Sequence, residues 1–202
     1  EVNTYNVIDN GLVYNSIQKG SAIQSESSDS VIRNSLVTDM SLVVSDDVME
    51  DKEAISIGGN TGNGGNLTIE YNTVTNIGPN FSGSTGTGIT FFNSPNTIVR
   101  YNTLTDIGRH GIALGTNNVS PYGFNVDGAR IYGNVVQRTG ISPGTGPGMP
   151  GNVGIGIGLG ASDYSDIDDV RVYNNTVLDC ELHDNKDGGI SIQGVANPNA
   201  TR

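Results

Sequence analysis

The chain has 202 residues, 21 Asp and Glu against 10 Lys and Arg, and a formal net charge of −11. That acidity argues against a nucleic-acid partner or an anionic membrane surface, and against a long acidic glycan unless a local basic patch overrides the field. One cysteine, Cys180, excludes an internal disulfide, and no apolar run reaches the ~18 residues of a membrane span.

The predicted elements follow from a repeat written along the whole chain. Its first half reads apolar, x, apolar, x, x, Asn, x, apolar. In chain order this is Tyr5-Val7-Asn10-Leu12, a weaker Val31-Asn34-Leu36, then Leu67-Ile69-Asn72-Val74, Thr97-Val99-Asn102-Leu104, Ala129-Ile131-Asn134-Val136 and Val170-Val172-Asn175-Val177. Its second half is a short strand led by a small residue. It falls at Ile23, Ile55-Ile57, Ile89-Phe91, Ile112-Leu114, Ile155-Ile157 and Ile190-Ile192. Both halves have period 2, so their apolar residues share a face. No segment holds a 3.6 period, so helices are not expected.

Strands this short bury a face only by stacking, each pairing in parallel with its copy in the next coil. The expected fold is an all-β parallel solenoid of about six coils in one domain, 1–202, roughly 25 Å long at the interstrand spacing. The recurring Asn suits an internal amide ladder. It equally suits turn chemistry, a left-handed backbone with a local side-chain bond.

Along the chain, residues 1–25 make the first coil, with Tyr5, Val7 and Leu12 expected inside. Residues 26–57 carry the acidic stretch Asp46, Asp47, Glu50 and Asp51, read as a solvated turn. Two glycine-rich loops follow in 58–96. Both lead into strands, which argues against phosphate binding. Longer loops in 116–153 bring Tyr122 and Phe124, aromatics that either stack on sugar rings or cover the solenoid's side. Asp163, Asp166, Asp168 and Asp169 form the densest carboxylate group, suited to Ca²⁺ or to an acidic turn facing water. No other cofactor is implied. Cys180, in the turn after the last repeat Asn, is expected buried. No amphipathic helix precedes Val2 or follows Ile192. Solenoid ends need covering, so the chain reads as an excerpt of a longer solenoid or as one whose ends meet other chains.

The repeat resembles the right-handed parallel β-helix of pectate lyases, polygalacturonases and alginate-modifying enzymes, along essentially the whole chain. The resemblance implies an extracellular or cell-surface protein whose partner is a polysaccharide. Five Asn-x-Ser/Thr sequons, at Asn66, Asn80, Asn118, Asn174 and Asn199, fit that location.

In such enzymes the cleft runs along one strand face. Here the matching outward positions are Gln24, Ser56, Thr90, Ala113, Gly156 and Ser191, a flat uncharged face that suits a planar sugar chain or another protein. Charges stand one step earlier, at the turn edge: Lys52-Glu53, Arg109-His110 and Asp187. His110 is the candidate acid or base. Arg109 is the candidate clamp for a uronate carboxylate. Glu53 and Lys52 are further catalytic candidates, and Asp187 joins Tyr122 and Phe124 as a substrate-binding candidate. Arg109-His110-Gly111 resembles the R-H-G of mannuronan C5-epimerases and of chondroitinase B-like alginate lyases. His110-Gly111-Ile112 resembles the H-G-I of polygalacturonases. The epimerases' D-P-H-E segment is absent, the lyases' lysine falls at Gly58, and the hydrolases' paired aspartates are missing from Gly88-Ile89-Thr90. The expected function is thus carbohydrate-active, of lyase, epimerase or hydrolase type. The alternatives are a structural assembly built by stacking coils end to end, and a non-catalytic glycan-binding fibre or adhesin.

Overall fold

A strand of three to five residues has too little surface to bury a face on its own. This chain solves that by coiling. The structure is a computed structural model, and it describes residues 6–14, 22–25, 27–40, 53–58, 65–78, 86–91, 93–115, 124–141, 154–159, 165–166, 168–180 and 189–192. All regular structure among them is β. No helix there is long and apolar enough to cross a membrane.

Three parallel sheets of six strands each form a right-handed parallel β-helix of about six coils. With strands numbered in chain order, the first sheet holds β1 (Val7–Asp9), β4 (Val31–Arg33), β7 (Thr68–Glu70), β10 (Ile98–Arg100), β14 (Arg130–Tyr132) and β18 (Arg171–Tyr173). The second holds β2 (Leu12–Tyr14), β5 (Leu36–Met40), β8 (Thr73–Ile77), β11 (Thr103–Ile107), β15 (Val135–Thr139) and β19 (Thr176–Leu178). The third holds β3 (Ile23–Ser25), β6 (Glu53–Ile57), β9 (Thr87–Phe91), β12 (Ile112–Gly115), β16 (Ile155–Leu159) and β20 (Ile190–Ile192). Two short strands, β13 (Phe124–Asn125) and β17 (Ser165–Asp166), pair outside the coils.

The inward columns form one core. Ile69, Val99 and Ile131 come from the first sheet, Val74, Leu104 and Val136 from the second, and Ile55, Ile89 and Ile112 from the third, all fully buried. Each such side chain contributes about 1.5–3 kcal/mol by leaving water. The small residue that leads each third-sheet strand has a steric cause. A Cβ on Gly88 would lie 2.6 Å from Leu104 Cδ2, and one on Gly111 would lie 2.5 Å from Gly154 O, so the coil closes too tightly there for a side chain.

Inside the second corner runs the amide ladder. Asn72, Asn102 and Asn134 each donate from Nδ2 to Oδ1 of the asparagine one coil on, at 2.9, 3.0 and 2.9 Å, ending on Asn175. The backbone N–H of each donates to the same oxygen at 3.0 Å. The second Nδ2 proton goes back one coil, to the carbonyls of Ile32, Ile69 and Val99. Both Nδ2 protons of each buried amide are thereby used.

The first two coils depart from the sequence expectation by one residue. Ile8 and Ile32 align with Ile69, and Val13 and Val37 align with Val74. The inward residues there are therefore Ile8, Val13, Ile32 and Val37. Val7 and Leu12, expected inside, are 46% and 61% exposed, and Leu36 also faces out. A one-residue slip turns every side chain to the other face. The ladder position becomes Gly11 and Ser35, with Ser35 N–H donating to Asn72 Oδ1 at 3.0 Å. Asn10 and Asn34 stand one step earlier, in the left-handed backbone at φ 58° and 52°. Tyr5, the third residue expected inside, lies outside the described residues. Cys180 is half-buried, its thiol donating to Leu178 O at 3.3 Å.

Candidate functional site

The third-sheet register brings Glu53 opposite Thr87, and Ile89 opposite Ile112. Gly88 N–H donates to His110 O at 2.9 Å. Glu53, Thr87 and His110 thus stand in one column at the edge of the third sheet. Two interstrand steps, about 10 Å, separate Glu53 from His110. The turn that carries His110 is clamped on both sides: Arg109 N–H donates to Gly86 O at 2.9 Å, and Arg109 O accepts from Gly140 N–H at 3.0 Å.

His110 is only 3% exposed. Burial pushes its imidazole well below the usual histidine range, and neighbouring Arg109 pushes it further. It is therefore neutral at neutral pH, with one ring nitrogen bearing a lone pair. Arg109 and Glu53 are half-buried. Lys52 and Asp187 lie outside the described residues, as does Tyr122.

The outward face of the third sheet is not the open surface expected. Gln24 is exposed, but Ser56, Thr90 and Ala113 are buried, as parallel sheets generally are on both faces. Thr90 is 3% exposed, and among the described residues its hydroxyl has no hydrogen-bond partner. Leaving such a group unpaired costs about 1–3 kcal/mol.

The aspartate group is only partly described. Asp163 lies outside the described residues, as does the side chain of Asp166. Phe124 pairs with Ser165 and Asn125 with Asp166 through their backbones, and the Phe124 side chain is likewise outside the description. Asp168 accepts the N–H of Asp169 at 2.9 Å. Asp169 Oδ2 accepts from Arg130 at 2.7 Å, and its Oδ1 accepts from Arg171 at 2.9 Å. Arg130, then Arg171, hold the Asp169 carboxyl below its usual range. Among the described residues no three His, Cys, Asp or Glu side chains are placed to share a metal ion.

One feature the sequence reasoning passed over is a row of tyrosines on the outer corner between the first and second sheets. Tyr71 stacks on Tyr101 at 5.2 Å, Tyr101 meets Tyr132 edge-on at 5.6 Å, and Tyr132 stacks on Tyr173 at 4.9 Å. Tyr71, Tyr101 and Tyr173 are about half exposed. Beside them runs a column of charges that pair coil to coil. Arg33 meets Asp9 at 2.8 Å and Arg100 meets Glu70 at 2.6 Å. Arg100 also donates to the Tyr132 hydroxyl at 3.0 Å and lies 5.8 Å from the Tyr101 ring centre. The signal was in the sequence: Tyr71-Asn72, Tyr101-Asn102, Tyr132-Gly133-Asn134 and Tyr173-Asn174-Asn175 each set a tyrosine just before the ladder asparagine. Of the sequons, Asn66 and Asn174 are exposed.

No protein-family model, no curated protein and no solved structure matches this chain.

Proposed function

We propose that this chain is an extracellular or cell-surface member of the pectate lyase-like β-helices that acts on a polysaccharide across the outer face of the third sheet. The observation that carries this reading is the unpartnered Thr90 hydroxyl in a floor of small residues, Ser56, Thr90 and Ala113, beside the His110 column. A sugar hydroxyl offers both a donor and an acceptor to such an atom.

In this reading His110 is the base. Its neutral imidazole takes the C5 proton of a uronate residue, and Arg109 grips the uronate carboxylate that absorbs the developing charge. Elimination of the C4 oxygen then gives a lyase, and return of a proton to the opposite face gives an epimerase. Glu53, Lys52 or Asp187 supplies the second acid. Tyr122 and Phe124 stack on the sugar.

The test is incubation with uronate and neutral polysaccharides, reading unsaturated products by ultraviolet absorbance and C5 inversion by NMR. The reading predicts turnover of one uronate polymer, lost in His110→Gln. It is abandoned if no polymer is changed, or if His110→Gln retains full activity.

A further inference from the structure

We propose that Tyr71, Tyr101, Tyr132 and Tyr173 form a second binding track, for a neutral polysaccharide chain laid along the solenoid axis. It stands whether or not the third-sheet face is active.

Two of these tyrosines occupy backbone that resists them. Tyr71 and Tyr101 sit at φ 55° and 56°. The same corner holds Asn10, Asn34, Gly133 and Asn174 in the other coils, residues that accept this conformation readily. A bulky ring kept in left-handed backbone and half in water points to a use beyond folding. In the next two coils the tyrosine moves to a different backbone position, the end of β14 and of β18. The ring contacts nonetheless continue unbroken from Tyr71 to Tyr173. What persists across the change is the row of rings, not the repeat position. Gly133 makes the handover feasible, since a Cβ there would lie 2.6 Å from Tyr101 Cε1.

The rings are also held in advance. Arg100, anchored on Glu70, donates to the Tyr132 hydroxyl and lies against Tyr101. Preset rings with two rotatable bonds lose little freedom on binding.

Shape and charge choose the occupant. The row spans three coil steps, about 14 Å, and is one side chain wide. Three half-exposed rings and the more buried Tyr132 offer on the order of a few hundred Å², below the ~800 Å² per partner of a stable protein interface. A thin linear polymer fits that shape. Each stacked pair spends a ring face on its neighbour and leaves ring edges, the remaining face and the hydroxyls outward, an apolar rim with polar tips that suits the C–H surfaces and hydroxyls of sugars. Glu70 balances Arg100 beside the first rings, and Asp168 and Asp169 balance Arg130 and Arg171 beside the last, so the track offers no net charge to an acidic chain.

The test is affinity electrophoresis of the whole protein through gels containing a neutral β-glucan, xylan or galactomannan, with alginate and pectate as acidic controls. The variants are Tyr71→Asn/Tyr101→Asn, which installs the residue that other coils carry at that corner, and Leu12→Thr, an exposed change on the first coil away from both faces. The expected result is retardation by at least one neutral polymer, at least tenfold weaker in the double variant and unchanged in Leu12→Thr. NMR of the wild-type tyrosine ring protons, titrated with an oligosaccharide of that polymer, gives a readout independent of the variant's folding. Four results overturn the proposal: no neutral polymer binds, only the acidic ones do, the folded double variant binds as well as wild type, or the rings do not respond. Binding unchanged with a lowered melting temperature would make the row a purely structural stack.

Discussion

Asn102 gives both its backbone N–H and its side-chain Nδ2 to a single oxygen, Oδ1 of Asn134, at 3.0 Å each. One side chain thus fixes the spacing and the register of two coils. It can do so only from the buried corner, where water does not compete.

Replacing Asn102 with Ala strips the acceptor from two donors on Asn72, removes the Nδ2 donor from Ile69 O, and leaves Asn134 Oδ1 with only the backbone N–H of residue 102. The expected cost is about 3 kcal/mol, read as a lower urea midpoint with unchanged slope. Asn34→Gly, at the exposed left-handed position one step out of the ladder, loses only the exposed Asn34 Nδ2–Asp9 bond at 2.9 Å and is expected to cost less than about 1 kcal/mol.

Ser35 holds the ladder position of the second coil with a hydroxyl, accepting from Gly11 N–H at 3.2 Å. Asn there can accept from Gly11 and donate toward the first coil. Ser35→Asn is therefore expected to stabilise by about 0.5–1 kcal/mol, raising the thermal midpoint by a few degrees.

Gly111 marks the tightest approach of the third sheet to the coil beyond. Gly111→Ala is expected to cost about 1–3 kcal/mol by overpacking. The control is Ala54, which fills the same column position, fully buried, two coils earlier. Ala54→Gly should cost about 1 kcal/mol through backbone entropy and lost packing.

Acid should destabilise the fold in two stages. His110 is depressed in the folded chain, so below about pH 6.5 the unfolded chain binds a proton that the folded chain refuses. Stability therefore falls as pH drops through that value, and His110→Gln should abolish this limb. Asp106, held low by a bidentate Arg138 at 2.6 Å, and Asp9, held low by Asn34 and then Arg33, act further down. Their stabilisation is complete above the unfolded carboxylate pKa of about 3.9 and is lost as pH falls through their folded values. Urea midpoints from pH 7 to pH 3, with and without His110→Gln, separate the two limbs.

The fold was legible because period 2 and a recurring Asn survive loops of very different length. The third-sheet columns, Ile23 to Ile190, align as the residues alone suggest. The first two coils did not, for a physical reason. Asparagine serves two purposes at neighbouring positions, as an amide rung at Asn72, Asn102, Asn134 and Asn175, and as a left-handed corner at Asn10 and Asn34. Pattern matching cannot tell these apart when Gly11 or Ser35 fills the rung. The column of Glu53, Thr87 and His110 was legible from register counting. The burial of His110 and Thr90 was not, because it depends on what covers the sheet and not on the strand pattern. The tyrosine row escaped notice because its members change backbone position between the coils of Tyr101 and Tyr132, and only the coordinates show that the rings still touch.

The register underlies both the His110 column and the tyrosine track, and side-chain amide exchange tests it most directly. In NMR spectra of the uniformly ¹⁵N-labelled protein, the Nδ2 protons of Asn72, Asn102 and Asn134 should exchange slowly with solvent, while those of the exposed Asn10, Asn34 and Asn174 exchange fast. Slow exchange at Asn10 and Asn34 would place them on the inner ladder. The first two coils would then slip by one residue, and the register described above would be wrong.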